Sequence, residues 1–308
     1  MTAVDPHVSV SPRTVGPPSA RDVLAAYVGL TKPRIIELLL LTTVPVMFLA
    51  QRGVPPLGLV VATVVGGTLS AGSANALNCV YDADIDERMR RTRRRALPRH
   101  LVSRPAALVF GLALGVVSTV WLGLLVNWLS AGLALAANVF YVVGYSILLK
   151  RRTPQNIVWG GAAGCFPVLI GWTAVTGELA WAPVVLFAVV FFWTPPHFWA
   201  LAIRYRDDYS AASVPMLPSV RDAKVVATRI LLYTLLLWGL TLAFAPVAEM
   251  GAIYLVSAIV LGAIYTVLAA RLRTDASPKQ AMRLFGYSIT YITLLFGAMA
   301  VDTLVRNV

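Results

Sequence analysis

Asn78, Asp82 and Asp86 recur every four residues where an apolar stretch runs into a block of arginines. On a helix that interval stacks side chains on one face. Asp84 lies between the two carboxylates and falls elsewhere on a regular helix, unless the helix ends there and the loop turns it inward. Like charges gathered beside lipid repel one another, so the arrangement makes sense with a divalent cation among them. An oxygen-rich, incomplete ligand set suits Mg²⁺, which takes its remaining ligands from water and substrate phosphates. A second acidic segment, Tyr205-Arg206-Asp207-Asp208-Tyr209, follows another long apolar run. Facing each other, the two segments would form a diphosphate and magnesium site. Its metal ligands would be Asp82, Asp86 and Asp208, with Asn78 as ligand or orienting amide. The competing reading is a charged helix end, solvated and paired with the arginines that follow.

Those arginines are Arg88, Arg90, Arg91, Arg93, Arg94, Arg95 and Arg99. Retention of basic loops on one side of a membrane explains much of the block. Guanidinium forks also bind phosphate oxygens in pairs, and a departing diphosphate needs its growing charge neutralised. Arg91 and Arg95 are the expected functional members. Lys32 and Arg34, around Pro33, could reach the same face.

A third constellation is Trp193-Thr194-Pro195-Pro196-His197-Phe198-Trp199-Ala200. The proline pair is expected to break helical hydrogen bonding inside a span, which is tolerated where neighbours or a cavity satisfy the freed groups. His197 is the only histidine expected inside a span, as a structural hydrogen-bonder or as a ligand contact. With Trp193 and Trp199 it could border a flat aromatic ligand. Asn156 is polar at the start of another apolar run, where it could hydrogen-bond a headgroup or ligand. Glu37 is expected to pair with Arg34 or to reach the interface.

These groups must be held by apolar elements. The chain has 308 residues, 58% hydrophobic and 13% charged, with a mean hydropathy of +0.75. A soluble domain would carry about twice that charged fraction. Runs long enough to span a bilayer centre on 35–51, 55–78, 105–126, 129–149, 156–176, 180–203, 226–247, 250–270 and 284–305. The expected fold class is therefore all-α: a polytopic membrane protein of about nine transmembrane helices around a cavity opening near the cytoplasmic face. Residues 1–30 read as a flexible, proline-containing tail without the apolar region of a signal peptide. Residues 31–308 read as one transmembrane domain. Small residues crowd 66–74 and 160–164, where they could permit close helix approach or line a cavity for a bulky ligand.

The net charge of +12 is a topology signal before it is anything else. In the nine-span scheme 24 of the 26 basic residues fall on the side of the N-terminal tail, leaving Arg52 and Arg306 on the other. That division puts the tail and both acidic motifs in the cytoplasm and the C-terminus outside. No nucleic-acid-binding module accompanies the charge, so no nucleic acid partner is expected. Cys79 and Cys165 have neither a metal-ligand spacing nor the pattern of a disulfide framework.

Several longer strings carry a family resemblance: Leu30-Thr31-Lys32-Pro33-Arg34, Asp82 through Thr92, Asn156 through Gly164, Trp193 through Ala200, and Pro215-Met216-Leu217-Pro218. With them the chain resembles the membrane-embedded aromatic prenyltransferases, and within them the protohaem IX farnesyltransferase (haem O synthase) family. Two departures are Ala96, where the family has proline, and Ser213, where it has glycine. The resemblance implies transfer of a farnesyl group from farnesyl diphosphate to a vinyl group of haem B, with hydration, in the cell inner (cytoplasmic) membrane. It implies Mg²⁺ at Asp82 and Asp86, with Asp208, and diphosphate contacts from Lys32, Arg34, Arg91, Arg95 and Asp208. Asn78, Asp82, Asp86 and Arg91 would be the catalytic set, and His197, Trp193, Trp199 and Asn156 the haem side. A downstream haem A synthase or terminal oxidase assembly is the candidate protein partner. Two alternatives stand beside this reading: a prenyltransferase acting on a quinone precursor, and a non-catalytic haem or lipid carrier.

Overall fold

The computed structural model describes residues 19–307. Nine helices among these residues are long and apolar enough to cross a membrane. In chain order they are α2 (Pro33–Gln51), α3 (Leu57–Tyr81), α5 (Arg104–Leu125), α6 (Trp128–Leu149), α7 (Asn156–Thr176), α8 (Trp181–Arg204), α11 (Ala223–Val247), α12 (Ala252–Thr274) and α13 (Pro278–Asn307). Shorter helices complete the chain: α1 (Ala20–Thr31), α4 (Ala83–Arg88), α9 (Arg206–Ala211) and α10 (Leu217–Val220). The connections on the side of α1 carry α4, α9 and α10, whereas the opposite connections are short.

The first part of the chain departs from expectation. Of the segment read as a flexible tail, residues 1–18 lie outside the described residues, but Ala20–Thr31 is a helix. A capping box starts it: the Ser19 hydroxyl accepts from the Asp22 N–H at 3.2 Å, and the Asp22 carboxylate accepts from the Ser19 N–H at 3.1 Å. Leu30 and Ala26 are buried against Ala76, Cys79 and Ala107. The Ser19-x-x-Asp22 pattern was the available signal, masked by the prolines before it.

In lipid, helix association relies on close packing and on hydrogen bonds between helices. Accordingly, α3 packs along α5. Ser118 donates to the Gly66 carbonyl at 2.8 Å, Ser73 to the Gly111 carbonyl at 2.7 Å, and Asn138 to Ser73 Oγ at 2.9 Å. At the far end Asp302 of α13 is buried and accepts from the Gly251 and Tyr254 N–H groups at 2.6 and 3.2 Å. It thereby satisfies donors at the start of α12 that have no partner inside the helix.

One local expectation is revised. Trp181–Arg204 runs as one helix through Pro195 and Pro196, so the proline pair does not interrupt the span. The break falls in α7, where Gly161–Cys165 tighten into a 3₁₀ turn between two α-helical parts. The second half of α6, Phe140–Leu149, is wound as a π-helix, a rare form that is frequent at functional sites. Ser213 adopts φ 55°, a left-handed conformation that glycine enters without steric cost, which accounts for the glycine usual at this position.

Candidate active site

One cavity of about 840 Å³ lies among α2, α3, α6, α7, α8 and α13. Asn78, Asp86, Arg91, Arg95, Lys32 and Lys150 line its polar part. Leu38, Ile170, Val190 and Ile292 line its apolar part.

The acidic motif arises where α3 ends. Asp82 closes α3, and α4 begins one residue later. The turn keeps helical bonding across the break: the Asp82 N–H donates to the Asn78 carbonyl at 2.9 Å and the Asp86 N–H to the Asp82 carbonyl at 2.8 Å. The three side chains therefore keep the common face that their spacing predicts. Asp84 faces away and is gripped by Arg151, whose two amino nitrogens donate to its oxygens at 2.8 and 2.7 Å. Those hydrogen bonds hold the Asp84 carboxyl below its usual range.

Each acid of the aligned face meets a cation. Asp82 is fully buried and paired with Lys150. Asp86 accepts from Arg95 Nη1 on both oxygens, at 3.0 and 2.8 Å. Asn78 links the two ends: its amide donates to Asp82 Oδ2 at 2.7 Å and to Ser146 Oγ at 2.8 Å, while its carbonyl oxygen accepts from Lys32 Nζ at 2.7 Å. Lys32 reaches it because it stands between α1 and α2 in a left-handed conformation, φ 53°. Burial pushes its ammonium below the usual lysine range.

Arg91 lines the cavity with its guanidinium 5.5 Å from the Tyr205 ring centre, and its N–H donates to Asp208 at 3.2 Å. Asp208 thus braces the arginine loop. Among the described residues Asp82, Asp86 and Asp208 do not close into a three-ligand metal cluster, and each carboxylate faces a donor of its own. Arg34 lines the cavity and is exposed.

About two helical turns inward from the end of α8 (seven residues at 1.5 Å each, ~10 Å), the wall becomes aromatic. The His197 ring stacks on Trp193 with centroids 4.3 Å apart, and on Phe285 at 4.6 Å. Ser288 Oγ lies 2.6 Å from both the Phe285 carbonyl and His197 Nδ1, so it anchors the imidazole through Nδ1. Nε2 has no hydrogen-bond partner among the described residues and belongs to a residue that lines the cavity.

Two residues expected at the ligand do not reach it. Trp199 is buried against Tyr233 of α11 and does not line the cavity, because its place two residues past His197, about 200° round the helix, turns it to the opposite side. Asn156 is buried with its amide donating to the Lys150 carbonyl at 3.0 Å, a brace for the turn rather than a ligand contact. Conversely, Lys150, Ser146 and Ser288 escaped sequence reasoning. Lys150 was hidden in a basic turn that topology already explained, and the two serines look like ordinary small polar residues within spans.

The model of the UbiA prenyltransferase family matches residues 39–296. This chain belongs to that family. It is 61% identical to a protoheme IX farnesyltransferase of a Nocardioides species, over 100% of both chains. It is also 61% identical to one of Cutibacterium acnes, over 94% of this chain and 87% of that one. Among solved structures, a digeranylgeranylglyceryl phosphate synthase superposes with a TM-score of 0.75 at 15% identity, covering 91% of this chain and 98% of that one. A UbiA homologue from Archaeoglobus fulgidus bound to GPP and Mg²⁺ gives 0.61 at 14% identity, over 90% and 99%. At these identities the structures establish the common UbiA fold. The protein is therefore a multi-pass membrane prenyltransferase of the UbiA family.

Proposed function

We propose that this protein transfers the farnesyl group of farnesyl diphosphate to a vinyl group of haem B, with addition of water, giving haem O and inorganic diphosphate. One observation carries the reading: a single cavity is lined in one part by Asp86, Arg91, Arg95 and Lys150 and in another by Trp193, His197 and Phe285. The first part suits an anionic leaving group, the second a flat aromatic acceptor. The names of the relatives from Nocardioides and Cutibacterium acnes support the same pair of substrates.

When the allylic C–O bond breaks, its electron pair leaves with the diphosphate. Lys32, Arg91, Arg95 and Lys150 line the wall where that charge grows and lower the barrier by stabilising it. The apolar wall of Leu38, Ile170, Val190 and Ile292 shields the carbocation-like chain from premature water. The vinyl π-electrons then form the new carbon–carbon bond. The other vinyl carbon takes the oxygen of water, which gives up a proton. His197 holds Nε2 towards the acceptor, anchored at Nδ1 by Ser288 and kept in one plane by Trp193 and Phe285.

Mg²⁺ suits this donor set. The aligned groups offer only oxygen to a metal, and Asp82 Oδ1 is buried with no hydrogen-bond partner among the described residues. Asp82 and Asp86 would hold it, while Asp208 braces the arginine loop beside them. When bound, it supplies Lewis-acid neutralisation of the diphosphate. The Archaeoglobus fulgidus homologue bound to GPP and Mg²⁺ supports that role.

The basic residues on the α1 side support a cytoplasmic-membrane orientation with the N-terminus and site loops in the cytoplasm and the C-terminus outside.

The deciding experiment supplies purified protein in detergent with haem B, farnesyl diphosphate and Mg²⁺, beside an Asp82→Asn control. Mass-spectrometric appearance of haem O, absent in the control and after chelation, is the expected result. Folded protein that binds haem yet forms no haem O refutes the proposal. Turnover with a hydroxybenzoate instead of haem would transfer the reading to a quinone precursor.

A further inference from the structure

Lys150 and Arg151 are neighbours in sequence with opposite destinations. Lys150 enters the cavity wall and pairs with Asp82. Arg151 passes outside, where neither it nor its partner Asp84 lines the cavity. Its guanidinium donates to both Asp84 oxygens, at 2.8 and 2.7 Å, and to the Tyr81 carbonyl at 3.1 Å, and lies 4.8 Å from the Tyr81 ring centre. One side chain therefore spans the break between α3 and α4, gripping the last residue of α3 and the second residue of α4. The break itself falls at Asp82, with φ −88° and ψ 7°.

We propose that the Arg151–Asp84 pair is a positioning device for the diphosphate site, fixing Lys150 and Asp82 against each other without touching substrate. The inference rests on the reading of Asp82, Asp86 and Lys150 as that site. The geometry supplies its reason. A lysine on a flexible loop would sample many rotamers, and ordering it has an entropic cost. Here its loop is pinned twice, by the grip of Arg151 on Asp84 of α4 and by Asn156, which donates to the Lys150 carbonyl at 3.0 Å. Arg151 also approaches Asp82 Oδ1 to 3.9 Å, the oxygen that has no hydrogen-bond partner among the described residues. A small rotation of the guanidinium alters the charge that Asp82 feels, so losing the clamp changes how the site meets a metal and a diphosphate.

The test compares Arg151→Ala, Asp84→Ala, the double variant and the charge exchange Asp84→Arg with Arg151→Asp. Two readouts are taken: calorimetric binding of farnesyl diphosphate in the presence of Mg²⁺, and the Mg²⁺ concentration giving half-maximal prenyl transfer. Supporting groups behind metal ligands typically alter affinity or activity by about 10- to 100-fold, so each single change should weaken both readouts about tenfold or more. The double variant should be no worse than either single one, because the two residues act as one contact. The charge exchange should recover part of the loss. Unchanged dependence on Mg²⁺ and farnesyl diphosphate in both single variants overturns the proposal. So does a silent Asp84→Ala beside an impaired Arg151→Ala, which would make Arg151 a substrate contact in its own right. If Arg151→Ala does not fold, Arg151→Lys keeps the charge but cannot span Asp84 and the Tyr81 carbonyl together. It should shift the Mg²⁺ dependence in the same direction, and wild-type behaviour there overturns the idea. Wild-type protein that binds no farnesyl diphosphate with Mg²⁺ would instead refute the underlying site.

Discussion

Arg95 holds both oxygens of Asp86 through a single guanidinium nitrogen, at 3.0 and 2.8 Å, nine residues apart in sequence. Asp86 is 3% exposed, so this arginine is its main neutralising charge without a metal. Removing one partner of a buried pair leaves an uncompensated charge, which typically costs about 3–5 kcal/mol. Arg95→Ala should lower the thermal midpoint accordingly. Mg²⁺ should raise that midpoint more in the variant than in the wild type, because a cation then replaces the lost one. Equal stabilisation of both proteins by Mg²⁺ would separate Asp86 from metal binding.

His197→Ala should weaken haem binding while farnesyl diphosphate affinity survives. Loss of one contact worth ~1.4 kcal/mol is a tenfold change, and the stacked ring with its free Nε2 should account for at least that. Ser288→Ala should have a smaller effect of the same sign, since it removes the hydrogen bond at Nδ1 and not the ring. Absorbance titration of haem into each variant measures both, and unchanged affinity in His197→Ala removes the contact.

Adjacent glycines in α3 should behave oppositely. A β-carbon on Gly66 would stand 2.4 Å from Leu122, whereas one on Gly67 would meet nothing within 4 Å and Gly67 lines the cavity. Gly66→Ala should destabilise by about 1–3 kcal/mol through overpacking. Gly67→Leu should fold normally but fill substrate space, raising the KM for farnesyl diphosphate. Normal kinetics in Gly67→Leu would show that the prenyl chain lies elsewhere.

Much of this architecture was legible in the chain. The nine apolar runs become the nine spanning helices within a few residues at most ends, because bilayer thickness imposes a length that composition reports directly. The largest shift is at α13, which starts at Pro278 rather than 284, since its first turns are amphipathic and reach beyond the apolar run. The cavity-lining faces of Asn78 and Asp86, and the outward face of Asp84, followed from helical periodicity alone. The α1 helix was missed because a short amphipathic segment gives little signal beside a proline-containing one.

By itself, the sequence determined the membrane class, the identity of the acidic face and the aromatic cluster around His197. These depend on local spacing and on the free energy of moving residues into lipid. The pairing of charges was decided only in three dimensions. Lys150 reaches Asp82 across 68 residues, Lys32 reaches Asn78 across 46, and Ser288 reaches His197 across 91. No periodicity encodes such partners. The packing of helices selects them, because a buried charge or amide keeps its place only where another element supplies its hydrogen bond. The same packing turned Trp199 into the core and Asn156 onto the Lys150 carbonyl, where local sequence and family resemblance had suggested ligand contacts.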